Sequence, residues 1–179
     1  MSPIRTPLIT TVACMMYSLL QLSLGLPQSL LGLLLCLLQG KARPRRFYRG
    51  CIVTGWRHAG GVSLGLFIFI PAWSGAASDP DTAAALSLPP AWRPLPISSL
   101  AKLPPAVRRI AVHEYGHTWQ SLLLGPLYLP VIGLSSFIWA NWPCCRRWRQ
   151  QSGRSYSWFW TEAWANRWGE ASTRLPGLD

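Results

Sequence analysis

Residues 106–124 read AVRRIAVHEYGHTWQSLLL, and this stretch predicts the helix on which the rest of the fold depends. Pro104–Pro105 stands where the first helical turn begins, a position that tolerates proline because its missing N–H would have no partner there. Gly125–Pro126 follows as an end signal. The predicted helix carries the pattern H-E-x-x-H at His113–His117.

The chemistry of this pattern follows from helix geometry. His113 and His117 are four residues apart and therefore share one helix face, where two imidazole nitrogens can each lie about 2.0–2.1 Å from one zinc ion. Glu114 lies about 100° around the helix, so it is placed to reach a metal-bound water rather than the metal. Zinc lowers the pKa of that water to about 7, and the carboxylate accepts its proton as hydroxide attacks a carbonyl. The sequence therefore predicts a Zn²⁺ site with Glu114 as the base.

A catalytic zinc site needs a third protein ligand and an open position. The chain has one further histidine, His58, in a predicted turn. Glu162 lies on a predicted helix 45 residues after His117, and Asn166 follows four residues later on the same face, where its amide can orient a ligand by hydrogen bonding. We favour Glu162 because the remaining acids lie on poorer scaffolds: Asp79, Asp81, Glu170 and Asp179.

Two other interpretations of the motif remain open at this stage. A cysteine could be the third ligand, as in deformylase-like sites, and Cys51, Cys144 or Cys145 would then bind the metal. Alternatively, the chain is a non-enzymatic membrane protein for structure or interaction, with at most a structural metal between two helices.

Composition narrows the class of protein. The 179 residues carry a net charge of +11 and a mean hydropathy of +0.19, and 13% are charged, against roughly 25% in an average soluble domain. These values argue against an acidic disordered protein, a collagen and a free soluble enzyme.

No nucleic-acid-binding motif accompanies the basic excess, and the arginines cluster beside apolar runs, which is typical of contact with lipid headgroups. The 11 tryptophans favour a membrane interface or a small core. We expect a lipid bilayer and a peptide or protein substrate as partners.

The N-terminal region predicts a membrane anchor. Residues 8–26 contain no charge, and after Pro27 the apolar run continues through 29–38. A spanning helix needs about 20 apolar residues, so we expect one tilted or Pro27-kinked helix, or one spanning part and one interfacial part. Only Arg5 precedes the run, whereas 41–46 is basic, which predicts an inner-membrane protein whose remainder lies in the cytoplasm. Five cysteines without a CxxC pattern agree with a reduced compartment.

The middle of the chain predicts a hairpin and then a linker. Residues 47–56 and 62–70 are rich in aromatic and β-branched residues and flank a turn at Gly60–Gly61, which predicts a β-hairpin. The second run is apolar almost throughout, so we expect it to be buried on both faces or adjacent to lipid. Residues 71–105 contain eight prolines without any period, and we interpret them as a linker or insertion.

The C-terminal third predicts further helices. Residues 127–140 are apolar but interrupted by proline and glycine, and at 14 residues they suit a buried helix or partial membrane insertion rather than a span. Residues 146–156 are basic and polar, which predicts a loop. Residues 157–168 predict a final helix that ends at Gly169.

Together these elements predict an α+β fold with an N-terminal membrane helix, a small β-hairpin or sheet, and a helical zincin-like core. The core contains the H-E-x-x-H helix and a C-terminal helix that supplies a ligand. The predicted segments are a membrane anchor, a basic segment with the hairpin, a Pro/Ala-rich linker or insertion, and the core: 1–40, 41–70, 71–105 and 106–179.

An H-E-x-x-H motif followed by a distant E-x-x-x-N on a later helix resembles the gluzincin class of zinc metallopeptidases. More narrowly, HEYGHTWQSLLLGPLYLPVIGL, with GGVSLGLFIFI before it and FWTEAWANRWG after it, resembles a group of small bacterial membrane-associated proteins, as does LPQSLLG at 26–32. A related stretch occurs in some polymorphic-toxin C-terminal domains. The resemblance covers 26–70 and 107–169, and the insert at 71–105 departs from it. It implies one base and three metal ligands, without a substrate: Glu114, and His113, His117 and Glu162.

Overall fold

The computed structural model describes residues 7–39, 45–72, 93–94, 100 and 103–179, so most of the predicted linker lies outside the described residues. The described part is α+β, as predicted. Its six α-helices are α1 (Pro7–Ser23), α2 (Leu26–Leu38), α3 (Pro105–Leu124), α4 (Leu134–Asn141), α5 (Pro143–Ser152) and α6 (Trp160–Thr173). Its strands are β1 (Arg45–Tyr48), β2 (Cys51–Trp56), β3 (Val62–Leu64), β4 (Phe67–Pro71) and the two-residue β5 (Arg93–Pro94).

The sheet is mixed, with the order β3-β4-β2-β1 and with β5 parallel to the outer edge of β1. β1 and β2 form a hairpin through Arg49–Gly50, and β3 and β4 form a second one through Gly65–Leu66. Positive φ at Arg49, Gly50 and Gly65 is what such two-residue turns require. β2 and β4 pair in parallel, so the predicted single hairpin between 47–56 and 62–70 is wrong in its pairing.

The sheet is covered on both faces, which is one of the two alternatives expected for its second apolar run. Alternate side chains point to opposite sides of a strand. Val53 and Ile68 therefore pack in one cluster with Val112 of α3, and Ile52 and Phe69 pack in a second cluster with Cys36 of α2. The sheet thus lies between α2 and α3, with Tyr17 of α1 packed in the same cluster as α3.

The N-terminal apolar region is not one continuous helix. α1 and α2 meet at 97°, because the chain breaks at Leu24–Gly25 and Pro27 then occupies the first turn of α2. Within the described residues, no single helix has the length and hydropathy to cross a bilayer. Two bent pairs of helices have the required length and hydropathy when the two members of a pair are counted as one segment. They are Thr11–Ser23 with Leu26–Leu38, and Pro105–Leu127 with Leu129–Asn141, which meet at 117°.

Buried polar side chains join these two bends. Gln28 Nε2 donates to Ser121 Oγ (2.8 Å) and to the Gly125 carbonyl (3.0 Å). Gln21 Nε2 donates to the Thr118 carbonyl (2.7 Å), and Ser121 Oγ donates back to Gln21 Oε1 (3.1 Å). The predicted anchor is therefore hydrogen-bonded to the helix that carries H-E-x-x-H and is not a separate attachment.

α3 and α6 pack with their backbones in close approach. A Cβ at Gly116 would lie 2.6 Å from the Ala165 carbonyl carbon, and one at Gly169 would lie 2.9 Å from the Val112 carbonyl carbon. Gly169 therefore lies inside α6 as a contact residue, and the prediction that it ends the helix is wrong. The glycine pair lets α6 approach closely enough for Glu162, two turns before Gly169, to reach α3.

Two other C-terminal predictions differ from the structure. Residues 146–156, expected as a loop, lie largely in α5, whose side chains are mostly exposed. The apolar run 127–140 forms a short 3₁₀ turn, a π-helical turn and then α4, and several of its apolar side chains are more than half exposed: Leu127, Leu134 and Phe137. The prediction that this run is a buried helix is therefore wrong for the side of the run that carries these three side chains.

Candidate metal centre

α3 and α6 bring three potential ligand atoms to one point. His113 Nε2 lies 2.9 Å from Glu162 Oε2, His117 Nε2 lies 3.4 Å from the same oxygen, and the two Nε2 atoms are 3.2 Å apart. Ligands about 2.0–2.1 Å from a tetrahedral zinc ion are separated by roughly 3.3–3.4 Å. All three side chains are buried. Among the described residues they form a group that could hold a metal ion.

The remote nitrogen of each imidazole faces an amide oxygen. His113 Nδ1 lies 2.8 Å from Asn166 Oδ1, and His117 Nδ1 lies 2.6 Å from Gln120 Oε1. The amide nitrogens are occupied elsewhere, because Asn166 Nδ2 donates to the Leu178 carbonyl and Gln120 Nε2 donates to the Thr161 carbonyl. Both Nδ1 atoms are thereby assigned as donors, which leaves both Nε2 lone pairs directed at the centre.

Glu162 presents one oxygen to the histidines and the other to a hydroxyl. Its Oε1 accepts from Thr161 Oγ1 (2.9 Å), which itself accepts from Ser136 Oγ of α4 (3.0 Å). Burial alone raises the pKa of Glu162, but hydrogen bonds and charge interactions with His113 and His117 outweigh burial and lower that pKa well below its usual range. The carboxylate is thus held ionised, with one oxygen directed at the imidazoles.

Glu114 lies beside the centre without a fixed partner. It is buried and makes no hydrogen bond to another residue in the described part of the chain. Burial raises the pKa of Glu114 to about 8; the charge of His113 lowers it and that of Glu162 raises it. Gly61, immediately before the edge strand β3, faces this side chain, since a Cβ there would lie 2.6 Å from Glu114 Cγ.

Two tyrosines adjoin the carboxylates. The ring centroid of Tyr156 lies 6.3 Å from that of His113, and Tyr128 donates to the Ser63 carbonyl of β3 (3.1 Å). Burial, followed by the charges of Glu114 and Glu162, raises the pKa of both phenols. Both hydroxyls therefore stay protonated and can serve as hydrogen-bond donors.

The other candidate ligands lie apart from this group. His58 is exposed and packs against Trp56, with ring centroids 4.7 Å apart. Cys51 is buried in the core, and the neighbouring sulfurs of Cys144 and Cys145 are 4.0 Å apart near the surface. The remaining acids have other partners or lie outside the described residues: Glu170 accepts from Gly177, Asp179 pairs with Arg109, and Asp79 and Asp81 are not described.

Sequence reasoning missed three partners of the centre. Gln120 is fully buried beside His117, and its i+3 spacing was the available signal. Thr161, directly before Glu162, and the backbone of Leu178 had no recognisable pattern. Leu178 donates its N–H to Asn166 Oδ1 (3.1 Å) and thereby helps to fix the amide that faces His113.

A comparison of the chain with family models, curated proteins and solved structures finds no match in any of the three.

Proposed function

We propose that this protein is a membrane-associated, zinc-dependent metallopeptidase of gluzincin-like design. The observation that carries the proposal is the convergence of three acceptor atoms, His113 Nε2, His117 Nε2 and Glu162 Oε2, in a buried site. Three buried acceptors at such spacing repel one another unless protons or a cation lie between them. Two nitrogens and one carboxylate oxygen form the donor set of many catalytic zinc sites.

The chain's own residues have distinct roles in this proposal. Asn166 and Gln120 hold the imidazoles in the tautomer that binds metal, and Thr161 fixes the rotation of the Glu162 carboxylate. When bound, the metal supplies Lewis-acid polarisation of a scissile carbonyl and acidifies water. The charge of a bound cation would lower the pKa of Glu114 from about 8, and the ionised carboxylate would then accept the proton of the attacking water and deliver it to the leaving amine. The lack of a hydrogen-bond partner for Glu114 among the described residues agrees with this role.

The proposed substrate is a polypeptide because an edge strand borders the base. β3 is the outer strand of the sheet, and the loop that enters it contacts Glu114 at Gly61. An extended peptide can add to such an edge through backbone hydrogen bonds. This would present a peptide carbonyl beside Glu114.

We also propose that the protein is located at the inner membrane, with the site on the cytoplasmic side. α1 and α2 would attach it to the bilayer, since fourteen large apolar side chains between Val12 and Leu38 are at least 42% exposed. The basic segment 41–46 supports this orientation through the positive-inside rule. Reporter fusions at the two ends of the chain test it, and an active C-terminal reporter outside the cell would contradict the orientation.

Metal analysis and one proteolysis assay test the enzymatic proposal. The full chain, purified in detergent, should hold one zinc ion, and His113→Ala and Glu162→Ala should lose it. Fluorescein-labelled casein serves as an unstructured polypeptide probe. Glu114→Gln should keep its zinc and lose hydrolysis, because the amide preserves shape but cannot accept the proton.

The variants also separate the rival interpretations. Zinc retained by Glu162→Ala but lost on Cys51→Ser or a Cys144→Ser/Cys145→Ser double change would establish a cysteine ligand. Hydrolysis that persists in Glu114→Gln would contradict the role of the base. Zinc binding that stabilises the chain without any hydrolysis would point to a structural metal.

A further inference from the structure

The helices of this protein have polar interiors and apolar exteriors. On α1 and α2 the buried side chains include Gln21 and Gln28, each 0% exposed, while leucines and methionines cover the outer surface. Water-soluble proteins show the opposite distribution, and contiguous apolar surface of this kind marks an interaction site. Interhelical hydrogen bonds between polar side chains are typical of helices that pack within a membrane.

The same distribution occurs in the C-terminal half. Ser121 is fully buried, whereas Leu123, Leu127 and Phe137 are 61–62% exposed. This second apolar surface adjoins the first, because Gln28 of α2 bonds to Ser121 and Gly125 at the other bend. α4 therefore continues the apolar exterior that α1 and α2 begin.

The apolar surface of α4 ends in tryptophan and arginine. Trp142 at the junction of α4 and α5 is 56% exposed and Trp148 on α5 is 43% exposed. Arg146 and Arg147 are also exposed, and neither forms an ion pair with an acidic side chain of the described residues. This order matches the layers of a bilayer: leucine and phenylalanine suit the hydrocarbon, tryptophan the interface and arginine the anionic headgroups.

Arg149 on the same helix is used internally and is excluded from this surface. It donates to the Trp139 carbonyl, and its guanidinium lies 4.8 Å from the Trp139 ring centroid and 5.5 Å from that of Tyr156. This contact holds α5 against α4 and leaves Arg146 and Arg147 directed outward.

We propose that α4 and α5 form a second bilayer attachment, in which α4 contacts acyl chains and Arg146 and Arg147 bind anionic lipid headgroups. It rests on the proposed membrane association and not on the hydrolytic chemistry. Ser136, on the inner side of α4, donates to Thr161, which donates to Glu162. The metal centre therefore lies one helix, about 10 Å, from lipid.

Photo-crosslinking of the full chain tests this attachment. A benzophenone amino acid replaces Phe137 or Trp148, with Leu34 as the positive control and the exposed α6 positions Arg167 and Ala171 as matched water-facing controls. The protein is reconstituted in vesicles of phosphatidylcholine and phosphatidylglycerol at 70:30. We expect lipid adducts at 34, 137 and 148 and none at 167 or 171, with phosphatidylglycerol enriched at 148.

A charge-matched pair of double variants tests the headgroup contact. Arg146→Gln/Arg147→Gln should reduce the enrichment of phosphatidylglycerol at position 148, by up to about 30-fold if both arginines contribute fully. Arg167→Gln/Arg174→Gln removes the same charge from α6 and the residue that follows it, and should leave that enrichment unchanged. Thermal unfolding and zinc content of each variant establish that it is folded.

Three outcomes would overturn the proposal. Adducts at 34 but not at 137 or 148 would leave α1 and α2 as the membrane contact, and adducts to a second copy would make α4 a protein interface. Unchanged enrichment in Arg146→Gln/Arg147→Gln would refute the headgroup contact. Zinc content is measured separately, so failure of the metallopeptidase proposal is distinguishable from each of these.

Discussion

Gly116→Ala should separate α6 from α3 and open the metal centre. The added Cβ would lie 2.6 Å from the Ala165 carbonyl carbon, with the carbonyl oxygen closer still, whereas ordinary contacts begin at 3.4 Å. α6 must therefore move outward by at least about 0.8 Å, because the obstacle is backbone and cannot rotate away. Overpacking of this kind destabilises a protein by about 1–3 kcal/mol.

The same displacement acts on the ligands. Glu162 is three residues before Ala165, so its Oε2 would move from 2.9 Å to about 3.7 Å from His113 Nε2, beyond the roughly 3.3–3.4 Å that a tetrahedral zinc ion requires. We expect zinc affinity to fall by about 10–100-fold, as for loss of a group that orients ligands. A zinc-chelator competition assay measures the affinity, and thermal unfolding in detergent with and without zinc measures the stability.

Gly133→Ala is the matched control, since it is also a helical glycine and its Cβ would meet nothing closer than 3.7 Å. This variant should bind zinc like the wild type and unfold at the same temperature or slightly higher. Equal zinc affinity and equal stability in Gly116→Ala and Gly133→Ala would refute the reasoning about the α3–α6 contact.

Three further predictions follow from the same geometry. Asn166→Ala removes the oxygen that accepts the hydrogen bond from His113 Nδ1, and should weaken zinc binding about 10–100-fold in the same competition assay. Unchanged affinity would contradict the orienting role of Asn166. Gly61→Ala should displace Glu114 and lower kcat by about 10²-fold with zinc content unchanged, whereas Gly60→Ala, which meets nothing within 4 Å, should be fully active. Burial raises the pKa of Cys51 to about 12, so roughly 10⁻⁴ of it is thiolate at pH 8 and iodoacetamide should not label it in the folded chain. Peptide mass spectrometry checks this against the exposed thiols, and labelling of folded Cys51 would contradict it.

Local sequence signals were sufficient to predict the bounds of the central helix and to identify Glu162 as the candidate third ligand. Prolines at its start and glycine at its end predicted residues 106–124, and α3 spans Pro105–Leu124. The predicted helix around Glu162 favoured it over acids on poorer scaffolds, and the i+4 spacing indicated Asn166. The structure places both beside His113. These inferences depended on one helix at a time, where spacing determines direction.

Non-local pairing could not be read from the sequence. Two apolar runs around Gly60–Gly61 have the pattern of a hairpin, yet β4 pairs in parallel with β2 and places β3 at the edge. The strand pairing is determined by two shorter turns, at Arg49–Gly50 and Gly65–Leu66. Residues with positive φ in these turns allow tight two-residue hairpins. Gly169 likewise has the local pattern of a helix end, and its role as a contact residue depends on a partner 57 residues earlier, Val112.

The polar side chains of the H-E-x-x-H motif lie on a buried part of α3. Its residues from Ala111 to Thr118 are all buried, since strands, α1, α2 and α6 surround the helix on every side. A helix enclosed in this way has no water-facing stripe, so each polar side chain on it needs a specific partner. Thr118 and Ser121 have such partners in Tyr17 and Gln28 of the N-terminal helices. His113 and His117 have theirs in Asn166, Gln120 and Glu162. Glu114 makes no hydrogen bond within the described chain, and a buried carboxyl group without one is costly unless it serves water, substrate or a proton in transit.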